Sequence, residues 1–285
     1  MEQPLQGLVD VSNDAYHSGP GISKSHLDWI APEMGRTPLH YWNRYINPDR
    51  EPDKQTPAKV LGTAIHTAIL EPDLLSDRVV PGLDIDRRSN ANRQAWADFE
   101  KANAGKIILP GDAYQTVLAI RDAVHRHPVA GPLLQGIKTE QSFYATDKET
   151  GELIKCRFDA LADSGEYALD LKSTENAGPA AFGRSAANYR YHLQPPWYFD
   201  ILRDLYGETP KYWMFLAVEK EPPHAIGIYY AQDEDIEFGR KIARRDLRRI
   251  VECKQQDYWP DYAAQAMPLQ LPAWYTHQAE NAEMA

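Results

Sequence analysis

Two short apolar stretches constrain what this chain can fold into. They are Cys156-Arg157-Phe158-Asp159-Ala160-Leu161 and Tyr167-Ala168-Leu169-Asp170-Leu171-Lys172-Ser173-Thr174. Each reads as a strand, and the turn-forming Asp163-Ser164-Gly165-Glu166 lies between them. Three charges interrupt the apolar pattern: Asp159, Asp170 and Lys172. A strand alternates its side chains between two faces, so Asp170 and Lys172 project together. Asp159, on the neighbouring strand, is placed to meet them. D-x-K by itself is ordinarily a surface ion pair on an edge strand. Two carboxylates beside one ammonium are also the equipment for holding a divalent metal and a water next to a phosphate. Hard oxygen ligands suit magnesium, with manganese as a substitute, and the main-chain carbonyl of Leu171 is a natural further ligand. Burial would lower the pKa of Lys172, but two carboxylates oppose that. Orientation and charge stabilisation are therefore its preferred roles, with general base second.

The surroundings extend this picture. From Lys138 the apolar period is two. Glu140–Ala145 reads as a strand, Asp147–Glu152 as a hairpin turn, and Leu153–Leu161 as the returning strand, so the opening pair closes an antiparallel meander. Leu61–Leu70 is a small-residue helix ending near Pro72, and burying it puts His66 inside. A lone histidine there is a hydrogen-bonded core residue, a metal ligand or a phosphate contact. Pro179–Tyr206 is a helical region in which Gln194 and Tyr198, four apart, share one face, and Pro195-Pro196 fits a helix start. Ser23 is a plausible N-cap for a helix running to Ile30, whereas residues 1–20 look irregular. Arg87, Arg88 and Arg93 fall in a polar loop over residues 81–95. Lys211–Val218 and His224–Ala231 read as two more strands, and Asp233–Gln256 as a long helix with a basic stripe from Arg240 to Arg249. That stripe is a solvated face paired with nearby acids, a phosphate-facing surface or a subunit contact.

A chain of 285 residues, 43% hydrophobic and 25% charged, is expected to form one substantial domain. No apolar run approaches the roughly eighteen residues of a membrane span. Met1-Glu2-Gln3-Pro4 lacks the pattern of a signal peptide, and two cysteines make neither a disulfide framework nor a four-cysteine metal site, so a cytoplasmic location is expected. The formal net charge of −10 argues against a nucleic-acid partner unless base is concentrated locally. There is no internal repeat, P-loop, zinc-ligand spacing or nucleophile elbow.

Taken together, these motifs resemble the PD-(D/E)xK nuclease superfamily, and within it the RecE-like (exodeoxyribonuclease VIII) branch of phage recombination exonucleases. The resemblance is carried by Gly19-Pro20-Gly21-Ile22-Ser23-Lys24-Ser25, Leu61-Gly62-Thr63-Ala64-Ile65-His66, Leu70-Glu71-Pro72 and Arg87-Arg88-Ser89-Asn90-Ala91. Cys156-Arg157-Phe158-Asp159, Leu169-Asp170-Leu171-Lys172-Ser173-Thr174 and the run from Tyr189 to Gln194 with Tyr198 complete it. Phe158 stands where the superfamily name has proline.

The resemblance implies an α/β (α+β) fold with a restriction-endonuclease-like core, a central mixed sheet with an antiparallel meander flanked by helices. It implies a single domain over residues 1–275, with a helical part to 60, a nuclease core over 61–257 and a disordered tail over 276–285. The activity implied is a magnesium-dependent exonuclease that digests one strand of linear duplex DNA from its 5′ end and leaves 3′ tails for recombination by annealing. The alternatives are a structure-specific or restriction-like endonuclease, or an inactive DNA-binding module. His66, Asp159 and Asp170 would hold the metals, Lys172 would be the catalytic lysine, and Gln194 and Tyr198 would support the site. Glu140 is a further candidate ligand. Arg87, Arg88 and Arg93, with Ser23, Lys24 and Ser25, would contact DNA. The implied partners are duplex DNA ends, a RecT-like single-strand annealing protein, and further copies of the chain in a trimeric or tetrameric ring. Its setting would be a bacterial host cytoplasm with the chain encoded by a phage or prophage.

Overall fold

The computed structural model describes residues 5–51, 55–263 and 265–275. The tail over 276–285 thus lies outside the described residues. The chain begins with β1 (Gly7–Leu8), α1 (Asn13–Ser18), α2 (Lys24–Asp28) and α3 (Pro38–Tyr45). Then α4 (Pro57–Leu70) and α5 (Leu75–Arg78) lead to β2 (Val79–Pro81), α6 (Asn90–Ala102) and β3 (Ile107–Leu109). The helices α7 (Gly111–Arg126) and α8 (Ala130–Leu133) precede β4 (Ile137–Thr146), β5 (Leu153–Ala162) and β6 (Tyr167–Thr174). Last come α9 (Pro179–Asn188), α10 (Gln194–Tyr206), β7 (Tyr212–Glu219), β8 (Ile226–Tyr230) and α11 (Asp233–Gln256).

Six strands form one mixed sheet in the order β1-β4-β5-β6-β7-β8. All neighbours run antiparallel except β6 and β7, which run parallel over eight paired positions. A parallel step needs a crossover, and the α9–α10 segment supplies it. The expected meander is therefore β4–β5–β6, and the α/β class with a mixed sheet holds. The two-residue β1 and the separate parallel pair β2–β3 are absent from the sequence reading. Two- and three-residue strands are too short to display a period.

Both faces of the sheet are covered, which is why β7 reads as a nearly unbroken apolar run. On one face α4 and α7 bring Ile65, Ala68, Ile69, Val117, Ile120 and Val124 onto Leu169, Leu171, Leu216 and Val218. On the other, α10 and α11 bring Trp197, Ile201, Leu247 and Ile250 onto Cys156, Phe158, Trp213 and Phe215. The small-residue character of α4 fits its buried position, and its start is set by Thr56, which accepts from the Lys59 N–H, with Pro57 in the first turn. The prolines of α10 likewise sit in its first turn, where no N–H is missed. Gly239 lets α11 pass against the turn before α10: a Cβ there would collide with the carbonyl of His192.

Four arginines of the α11 stripe are engaged within the fold. Arg240 pairs with Asp200 and Glu237, Arg244 with Asp147 and Glu149, Arg245 with Glu33 and Asp246, and Arg248 with Glu149. These arginines meet nearby acids, the first of the three readings left open above.

Candidate active site

The site forms where the meander opens. Pairing of β5 with β6 is confined to Ala160 with Leu169 and Leu161 with Ala168. Beyond those pairs the two strands separate, and Asp159 and Asp170 stand at the split. The β4–β5 register runs without a slip, so Glu140 and Asp159 fall opposite each other between the pairs Thr139–Ala160 and Gln141–Phe158. Glu140 is in the left-handed region, at φ 53°, which a non-glycine residue enters only at a cost in strain. The layering of β5 changes at the same place: Cys156 and Phe158 belong to the α10 face, Ala160 to the α4 face. A flat, regular ladder would not aim these side chains into one notch.

From above, α4 lowers His66 onto the notch. Its Nδ1 lies 3.7 Å from Asp159 Oδ2, and its side chain retains 31% exposure, so it borders solvent. One ligand atom each from His66, Glu140 and Asp159 lies within 4.8 Å of the others. Asp159 Oδ2 also accepts the Leu171 N–H at 2.9 Å, a bond that a regular ladder would have given to a backbone carbonyl. Within a strand a residue's N–H and C=O share one edge, so the Leu171 carbonyl turns toward the notch too.

Asp170 and Lys172 do share a face, and their side chains form an ion pair. Gln194 Nε2 donates to Asp170 Oδ1 at 2.7 Å, which leaves Gln194 Oε1 buried without a hydrogen-bond partner. The Lys172 ammonium also sits 4.7 Å above the ring of Tyr191. Arg157 Nε donates to Glu140 Oε2 at 2.5 Å, and its Nη1 donates to the Val11 carbonyl and to Ser142 Oγ. Arg157 thereby fixes Glu140 in its unusual conformation. Tyr198, one turn after Gln194, has its ring edge-on to Phe158 and Trp213 at 4.9 and 5.1 Å. It packs beneath the site.

The electrostatics follow from burial and crowding. Burial, then the neighbouring carboxylate of Asp170, pushes the Asp159 pKa well above the usual range, with Lys172 opposing. Burial would lower Lys172, but Asp170 and Asp159 outweigh it and the ammonium is held protonated. Burial and then Lys172 lower His66 against the pull of Asp170 and Glu140, which keeps the imidazole neutral and its lone pair available. Crowded carboxylates, a neutral imidazole and a buried amide oxygen without a partner fit a hard divalent cation. His66, Glu140 and Asp159 would hold it, with Asp170 and the Leu171 carbonyl at its margin.

The residues named as DNA contacts form two groups. Ser23 caps α2 in a reciprocal pair with His26, its Oγ 2.8 Å from Nδ1, and Ser25 is exposed. Lys24, expected to contact DNA, is 9% exposed, and its ammonium donates to Asp28 Oδ2 and to the Tyr189 carbonyl, each at 2.8 Å. Arg87 stacks 3.9 Å over Trp96 and pairs with Glu100 at 3.4 Å, and Arg93 donates to Asn90. With Arg88 they belong to α6 and the loop before it. Sequence reasoning assigned no role to Arg157 or Tyr191. Both flank motif residues, yet only cross-strand register and the turn before α10 reveal their contacts.

A family model described as a PDDEXK-like domain of unknown function (DUF3799) matches residues 33–271. The chain belongs to this family. A solved structure from Eubacterium rectale, provisionally described as an exonuclease, superposes with a TM-score of 0.62 at 13% identity, covering 94% of this chain and 98% of its own. That likeness establishes the fold. A second, SSO0001, covers 68% of this chain and 87% of its own at 14% identity, with a TM-score of 0.29 that carries no argument. No curated protein matches. Among the described residues no helix is long and apolar enough to cross a membrane.

Proposed function

We propose that the protein is a divalent-metal-dependent nuclease. The observation that carries this reading is the convergence of His66, Glu140 and Asp159 ligand atoms within 4.8 Å, beside the Asp170–Lys172 ion pair. When bound there, a divalent ion polarises a phosphodiester and eases ionisation of the attacking water. The chain's own groups do the rest. Asp159 is held by the Leu171 N–H, and Gln194 fixes Asp170 so that the carboxylate aims at both the notch and Lys172. Protonated Lys172 is placed to orient the nucleophile and to steady the charge that builds on a five-coordinate phosphorus. With its pKa raised, a general-base role is second. Arg157 keeps Glu140 in position, and Tyr198 buttresses the floor.

The finer reading is an exodeoxyribonuclease that uses magnesium, with manganese as a substitute, and digests one strand of linear duplex from its 5′ end. The provisional description of the Eubacterium rectale relative supports the exonuclease part. A cytoplasmic role in recombination, with an annealing partner taking up the 3′ tails and several copies ringed around the DNA, completes the proposal. The test is digestion of end-labelled linear duplex, carrying either a 5′-phosphate or a 5′-hydroxyl, against closed circular DNA with magnesium or EDTA. Linear DNA alone should shorten, from its 5′ ends and only with the metal. Asp170→Asn and Lys172→Ala should each slow digestion by about a hundredfold or more. Cutting of closed circles would indicate an endonuclease, and full activity in Asp170→Asn would remove the mechanism.

A further inference from the structure

The fold spends two buried cations on one exposed ring. Tyr189 closes α9 with 60% of its surface exposed. Its ring stacks on Tyr191, centroids 5.7 Å apart and planes 22° from parallel, and the Tyr191 ring carries the Lys172 ammonium at 4.7 Å. Its other face meets no ring among the described residues. Behind Tyr191 stand Phe182 and Phe215, each with its centroid 6.1 Å away, so the inner ring cannot yield. The backbone of Tyr189 is pinned from below, its carbonyl accepting from the Lys24 ammonium at 2.8 Å. The next residue, Arg190, is left-handed at φ 55° and 2% exposed. Its guanidinium donates to the Leu27 carbonyl and Asp28 and pairs with Asp246, which is fully buried.

Burying charges to fix a turn is costly, and stability alone is a weak reason for it. The effect here is to hold a flat aromatic face still, one ring away from the catalytic lysine. An aromatic face is what an unpaired base stacks on, whatever its identity. We propose that Tyr189 is a stacking platform for a nucleobase of the strand being cut, beside the scissile phosphate. The substrate strand is then engaged as unpaired nucleotides at the site, and duplex must open there. This deepens the nuclease reading and rests on it.

The test is a cycle between ring and base. Binding is measured with calcium in place of magnesium, using the parent, Tyr189→Ala and Tyr189→Phe. The probes are one set of short DNAs in which a base-free sugar replaces each of the first several nucleotides of the cut strand in turn. One position should exist where losing the base weakens the parent and Tyr189→Phe about tenfold but leaves Tyr189→Ala unchanged. Tyr189→Ala should bind intact DNA about tenfold more weakly than the parent. If every position costs all three proteins equally, the platform is overturned while DNA digestion keeps the nuclease reading alive. If the parent neither binds nor cuts DNA, both fall together. Because the Tyr189 ring is exposed, removing it spares the core, and unchanged far-ultraviolet circular dichroism confirms the fold.

Discussion

At Asp159 one carboxylate serves the sheet and the site at once. It accepts the Leu171 N–H, and it shares the notch with Glu140 and His66. Burial and then Asp170 make its charge unfavourable in the folded protein, so a cation bound there should stabilise the native state selectively. Binding to the native state alone adds about 2.7 kcal/mol at a hundred times the dissociation constant, or about 5 °C or more in a chain of this size. Magnesium or manganese should therefore raise the melting temperature, and EDTA should reverse the rise. Asp159→Asn keeps an acceptor for Leu171 but removes the charge, and it should abolish the rise. An equal rise in parent and variant would place the cation elsewhere.

Among the elements, the β4–β5 turn and α11 depend on each other. Asp147 accepts the Thr150 N–H at 2.8 Å and pairs with Arg244 at 2.5 Å, while Glu152 pairs with Lys254 at 2.5 Å. Burial alone would raise the Asp147 pKa, but Arg244 and Thr150 outweigh it and hold it below 3.8. A lowered carboxylate pKa gives stability that is present above the unfolded value and lost as pH falls through the folded one. Asp147→Asn should accordingly melt earlier than the parent at pH 7, and the two curves should converge below about pH 3.8. A gap that persists in acid would mean packing, not charge, holds the turn. These elements also show what a sequence can reveal. The meander, α4, α10 and α11 carry long periods and were readable. The shared face of Asp170 and Lys172 followed from strand alternation, whereas the place of Gln194 beside them was implied by the resemblance alone. Glu140 was offered only as a further candidate ligand through the resemblance, because the β4–β5 register that sets it opposite Asp159 is contained in no local pattern. Lys24 went the other way, because a charged residue in a polar run reads as surface until the tertiary fold buries it.

For the molecule as a whole, the net charge of −10 and the engagement of the α11 arginines leave the described chain without a broad basic face of its own on that helix. The proposed nuclease, so charged, would need its grip on DNA from geometry, and the proposed ring of copies would supply one. Sedimentation should then give three or four times the 32.4 kDa of one chain. A monomer at micromolar concentration would remove the ring. The left-handed backbone at Glu140 also has a consequence for the whole chain. A strained non-glycine residue costs on the order of 1–3 kcal/mol, a noticeable share of a typical domain's stability. Selection for stability alone would favour glycine there, since glycine takes that conformation freely. A glutamate at such a position marks a compromise between durability and chemistry, and the chain has settled it on the strand next to the sheet's short edge strand.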